Sequence, residues 1–162
     1  MTENITKRQH PVKRAQPDRT AAGDAVSELV VHVFRLNGLL IAAGDNMARP
    51  AGQTSARWRV LAAIDEAPLS VAQIARAWWL TRQSVQRVAD VLVRDGLATY
   101  EDNPNHRRAK LVRITPKGLT ALRAIRTRQR VWADALGSDL READVRVANA
   151  VLGDIVRALT RA

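Results

Sequence analysis

The chain has 162 residues, 46% of them hydrophobic, and its 26 Lys and Arg outweigh 16 Asp and Glu to give a formal net charge of +10. That length and apolar share support one buried core, and the cationic excess fits a polyanionic partner, nucleic acid or an anionic membrane surface. With no cysteine, disulfides, thiolate catalysis, thiol redox sensing and Cys-based zinc sites are excluded.

His10, His32 and His106 are isolated and none sits in a metal-ligand spacing, so no metal or cofactor is expected. No Ser/His/Asp, metal or phosphate-loop constellation points to an enzyme. Nothing early resembles a signal peptide. The longest apolar run, Leu39 to Ala43, is far shorter than the about 20 residues that span a bilayer. A soluble cytoplasmic protein with no membrane partner is expected.

Residues 1–20 carry Lys7, Arg8, Lys13, Arg14 and Arg19 with Pro11 and Pro17, the composition of a disordered basic arm. From Asp24 to Gly44, Val26, Leu29, Val30, Val33, Leu36, Asn37, Leu40 and Ile41 follow the spacing of one helix face. Asp24 is placed to cap the start and Gly44 to end the helix. The stripe is wide, since Val31 and Phe34 fall partly outside it, as expected of a helix buried against a second subunit. Asp45 to Gln53, with Pro50 and Gly52, reads as a loop.

Thr54 or Ser55 caps a second helix running to about Glu66, before Pro68. Ser70 and Gln73 have capping-box spacing and open a third helix to about Trp78. Thr81 caps a fourth, which runs to Asp95 with Gly96 as its stop. At 1.5 Å per residue that helix is roughly 22 Å long, enough to lie across a major groove. Val85, Val88, Ala89 and Leu92 form its inward stripe, while Gln83, Arg87, Asp90 and Arg94 point outward with Arg82, Ser84 and Gln86 on the flanks. Hydroxyl, amide and guanidinium groups of this kind hydrogen-bond base edges and phosphates. An ordinary solvated helix face has the same composition. Asp90 is expected to pair with Arg94 or Arg87.

The next stretch reads as two short strands around a polar tip, with Asn103, Pro104 and Asn105 as turn formers and Arg107 and Arg108 side by side. Arginines there can reach an adjacent minor groove; alone they describe a basic surface turn. Thr115 and Pro116 open a fifth helix whose Leu119, Leu122, Ile125, Gln129, Trp132 and Leu136 make a long seam ending at Gly137. A last helix from about Glu142 is expected to bury Val145, Ala148, Val151 or Leu152, Ile155 and Leu159.

The segments LSVAQIARA, LTRQSVQRVADVLVRDGL and NPNHRRAKLVRITPKG resemble the MarR family of winged helix-turn-helix transcriptional regulators, with the likeness running from about Asp24 to the C-terminus. The resemblance implies a mainly α fold of six helices plus a β-hairpin wing. Residues 1–20 would be the arm and 21–162 the family domain, with 54–115 as the winged reader and 24–44 and 116–162 as dimerisation helices. It implies a homodimer on double-stranded DNA, contacted through Thr81, Arg82, Gln83, Ser84, Gln86, Arg87 and Arg107 or Arg108. It also implies a cleft for a small aromatic effector, for which His32 and Trp58 are candidates; on the residues alone, Trp58 reads as core and His32 as a partly buried, satisfied histidine. The chain departs from the family where wing aspartates are common, having Asn103 and His106. It also departs at the turn before the fourth helix, where Trp78-Trp79 replaces a common Leu-Gly, and so a different turn conformation is expected. Arg141 stands where Ser or Thr often caps the last helix, which leaves its start prone to fray. The function expected is a ligand-responsive repressor on a pseudo-palindromic operator; an architectural or weakly specific DNA binder is the alternative.

Overall fold

A computed structural model describes residues 19–106 and 108–161. Most of the basic arm and Arg107 therefore lie outside the described residues. The elements in order are α1 (Ala21–Ala48), a 3-10 turn (Arg49–Ala51), α2 (Ser55–Ala63), β1 (Leu69–Ser70), α3 (Val71–Ala77), α4 (Arg82–Arg94), β2 (Ala98–Glu101), β3 (Leu111–Ile114), α5 (Pro116–Ser138) and α6 (Glu142–Arg161). The chain divides within α1 into two compact units, one ending at Gly38 and the other starting at Leu39.

The short helices of the second unit begin where side chains replace missing backbone acceptors. Thr54 accepts from the Arg57 amide, Thr81 from Ser84 and Thr115 from Gly118. Ser70 and Gln73 close a reciprocal capping box. Each such cap is worth about 1 kcal/mol. Val60 and Leu61 from α2 and Ile64 just after it, Ile74 from α3, Val85 and Leu92 from α4, Val112 from β3 and Leu122 from α5 are fully buried together. At about 1.5–3 kcal/mol per large apolar side chain, this core fixes the helix-turn-helix to the sheet and to the first half of α5. The sheet order is β1-β3-β2, all antiparallel, with Leu69 opposite Val112 and Tyr100 on the other side of the same residue. Strand β1 is absent from the sequence reading because two residues are too short to show an alternation.

Gly44 does not stop α1, which continues to Ala48 and into the 3-10 turn, so the expected loop shrinks to Gly52 and its neighbours. Gly44 is instead a packing residue: a Cβ there would lie 2.9 Å from the Cβ of Ser55. Beside it Asp45 Oδ1 accepts the Ser55 amide at 2.6 Å, so the helix end is held by the start of α2. Helix α2 closes at Ala63, earlier than Glu66.

The last helix differs more. No residue of α6 is buried; Val145, Val151 and Leu159 are exposed, and Leu152 and Ile155 only half-buried. On α5, Leu122 and Ile125 are buried, whereas Val131 and Leu136 are exposed. Along α1, Val26, Val30, Val31, Phe34, Leu36 and Leu39 are exposed as well. These seams have the amphipathic spacing read from sequence, but a single chain leaves them uncovered. Helix α1, with its 3-10 extension, is also long and apolar enough to cross a membrane by length and composition, which a count of uninterrupted apolar residues overlooks.

Candidate nucleic-acid interface

Helix α4 carries its separated faces as its spacing predicts. Val85, Ala89 and Leu92 are buried and Val88 half-buried, while Arg82, Gln83, Gln86, Arg87, Asp90 and Arg94 are exposed. Thr81 is occupied as the cap. Ser84 is half-buried, and its hydroxyl donates back to the Thr81 carbonyl at 2.9 Å, so this group is partly spent within the helix.

Between the N-terminal half of α4 and the wing lies an open cavity of about 540 Å³. Arg82, Gln83, Gln86, Tyr100, Arg108 and Lys110 line it, together with Ser70, Val71 and Ala72 from the start of α3. Among the described residues, three cations and no acid line this space, which suits an anion. No salt bridge among the described residues engages Arg82, Arg87 or Arg108. The basic groups that are neutralised lie elsewhere. Arg94 pairs with Asp95 at the far end of α4, and Arg113 grips Glu101 across the sheet through two hydrogen bonds of 2.5 and 3.0 Å. That contact holds the Arg113 guanidinium above its usual value.

Asp90 pairs with neither Arg94 nor Arg87. Its Oδ1 accepts from the Tyr100 hydroxyl at 2.6 Å and from Gln86 Nε2 at 2.8 Å. Those hydrogen bonds, Tyr100 first, hold its carboxyl below the usual carboxylate range. Burial, followed by the Asp90 hydrogen bond and charge, pushes the Tyr100 phenol up to about 12. Sequence reasoning missed Tyr100 and Lys110. Tyr100 had a signal: it shares strand parity with buried Ala98, which turns both toward α4.

At the wing tip, Asn103 Oδ1 accepts the Asn105 amide at 3.0 Å and the Asn103 carbonyl accepts His106 N at 3.1 Å. An Asx turn thus shapes the tip without an aspartate. Arg108 is exposed there.

The turn ahead of α4 overturns the expected change of conformation. Trp79 has φ of 52°, in the left-handed region where glycine is usual, and it is 75% exposed. The Leu80 amide reaches the Ala75 carbonyl at 2.9 Å across this turn, so the backbone path survives the bulky residue. Of the effector candidates, Trp58 is half-buried against the core, as read. His32 is exposed on α1, not partly buried, because the surface it stands on is uncovered in one chain.

A family model described as MarR family matches residues 51–109, from the turn before α2 to the wing tip. Uncharacterized proteins of Mycobacterium bovis and Mycobacterium tuberculosis are 44% identical over 105 residues, covering 65% of this chain and 73% of theirs. Among solved structures, the M. tuberculosis transcriptional regulator MosR in complex with DNA is 25% identical with a TM-score of 0.66, over 80% of this chain and 96% of that one. CouR from Rhodococcus jostii, bound to p-coumaroyl-CoA, shares the fold at 20% identity and a TM-score of 0.69, over 85% and 95%. With the family model matched from before α2 to the wing tip and the fold of solved MarR-family regulators shared, the chain belongs to the MarR family of transcriptional regulators.

Proposed function

We propose that the chain acts as a homodimeric, ligand-responsive repressor that binds a pseudo-palindromic operator in the cytoplasm. The observation that carries this reading is the acid-free cavity between α4 and the wing, where Arg82, Arg108 and Lys110 face the same space as Gln83 and Gln86. Cations there anchor phosphates, and the amides on α4 read base edges. Arg87 and the Thr81 cap extend the contact along the N-terminal half of the helix, and Arg107 adds to the wing tip. DNA-bound MosR supports this reading by its shared fold.

The uncovered seams of α1, α5 and α6 support the dimer. A second copy is a better cover than a bilayer, because Glu28 and Arg35 sit inside the apolar stretch of α1. A charged residue at the centre of a membrane helix costs about 2.5–3.5 kcal/mol. Two α4 helices then enter successive major grooves about 10–10.5 bp apart. Occupancy of the operator excludes polymerase. A small aromatic effector relieves repression by binding better to a dimer whose α4 helices are wrongly spaced. CouR, which holds an aromatic acyl-CoA, supports that class of effector.

Competition tests the specific reading. A duplex recovered by genomic footprinting should stay bound at moderate salt in a large excess of random DNA. Displacement by random DNA would replace the regulator with an architectural binder. Sedimentation should give twice the protomer mass.

A further inference from the structure

Gln86, Asp90 and Tyr100 form a closed triangle joining α4 to β2. Gln86 Nε2 lies 2.8 Å from Asp90 Oδ1 and 2.7 Å from Tyr100 Oη, and the phenol donates to the same Oδ1 at 2.6 Å. We propose that Asp90 and Tyr100 hold the Gln86 carboxamide as a pre-oriented reader of adenine, a refinement that rests on the operator-binding role proposed above.

The chemistry is directional. A carboxylate only accepts, so the amide must turn its NH2 toward Asp90 and its oxygen away. The three sides are nearly equal, so the two acceptors subtend about 60° at Nε2, half the spread of about 120° between an amide's N–H bonds. One hydrogen is therefore shared between Oδ1 and Oη as a three-centre bond. The hydrogen farther from Oε1 fills that place, because it keeps the amide oxygen clear of the carboxylate charge. What remains is Oε1 with an N–H beside it, a side-by-side acceptor and donor.

Adenine offers the complement in the major groove, with N7 accepting and its N6 amino group donating. Guanine shows two acceptors there and would meet Oε1 with like charge. Thymine offers an acceptor and a methyl, and cytosine satisfies only Oε1. Gln86 faces the cavity between helix and wing and is exposed, as a reading group must be. Tyr100 and Asp90 act as positioning residues: without them the same carboxamide rotates and can present either edge.

The test uses the full chain and a duplex pool with a randomised central segment, selected in parallel by wild type, Gln86→Ala, Tyr100→Phe and Arg108→Ala. The wild-type consensus should hold adenine at one position of each half-site. Gln86→Ala should lower that preference about tenfold, the scale of a lost bidentate base contact. Tyr100→Phe should lower it severalfold, with preferences at other positions kept in both. Arg108→Ala should weaken all sequences alike, as loss of a phosphate contact does. Where Gln86→Ala loses all binding, Tyr100→Phe carries the test, since it removes one oxygen. The proposal is overturned when either variant keeps the wild-type preference, or when the preference lost is for another base. A wild-type pool without any consensus overturns the operator reading as well, and so separates the two failures.

Discussion

Gly118 is the position where α5 meets the start of the wing, and Gly118→Ala sets two magnitudes against each other. Helix propensity favours the substitution by about 1 kcal/mol, because Gly118 sits in the first turn of α5. Packing opposes it. A Cβ at 118 would overlap the Leu97 carbonyl oxygen and lie 2.8 Å from Ile114 Cγ1. Neither neighbour is the free end of a flexible chain, and overpacking of this kind costs typically 1–3 kcal/mol. The Leu97 carbonyl also accepts the Thr115 amide at 3.1 Å, so separating α5 from β2 strains a hydrogen bond worth about 1 kcal/mol. Packing wins. The expected net loss is about 2 kcal/mol, or roughly 4–8 °C in Tm for a domain of this size. Thermal and urea melts followed by circular dichroism, at fixed protein concentration because the proposed dimer would make stability depend on it, would measure it. Gly137→Ala is the control, since nothing lies within 4 Å of a Cβ there and propensity alone should act. A Gly118→Ala variant as stable as wild type, beside a Gly137→Ala variant that is not destabilised, would refute the close-packing argument.

Three further outcomes are expected. At position 79 the usual order of alanine over glycine should reverse, because any Cβ at φ of 52° costs about 1–2 kcal/mol; equal melts for Trp79→Gly and Trp79→Ala would remove the strain. Tyr100 is the chain's one tyrosine, so ultraviolet phenolate absorbance reads it alone, with a midpoint at about 12 that drops toward 10.0 in Asp90→Asn. Because the folded state holds this proton longer than the unfolded chain, the stability it contributes is complete below pH 10.0 and is lost as pH rises from there through about 12. A midpoint unchanged by Asp90→Asn counts against the triangle. Finally, Arg108→Ala should lower affinity for all duplexes and reduce the slope of log affinity against log salt by about 1, and an unaltered slope in a titration over salt would take Arg108 off the phosphates.

Much of the reader is legible in the residues alone. Threonine and serine caps at Thr54, Ser70, Thr81 and Thr115 announce helix starts, since their hydroxyls satisfy amides only a turn away. The buried row Val85, Ala89 and Leu92 repeats at the helical period, and that period alone turns Gln83 and Arg87 outward with Gln86 on the flank. These are local signals.

Other features depend on residues far apart in the chain. Gly44 has the composition of a helix stop, and only Ser55 packed beside it makes it an internal contact. Asp90 has two arginines within helical reach, yet the phenol that reaches it stands on a strand ten residues later. Trp79 takes the backbone angle of a glycine because the bond from the Leu80 amide to the Ala75 carbonyl and the packing of α3 on α4 outweigh its local preference. Caps and periodicity act within a turn or two, so the residues alone fix the starts of α2 to α5 and the apolar face of each long helix; α1 begins at Ala21, a turn ahead of Asp24, because Thr20 rather than Asp24 caps it. The tertiary structure decided which of those apolar faces one chain can cover and which polar groups meet between α4 and the wing, because burial and hydrogen-bond pairing depend on what arrives from elsewhere in the fold.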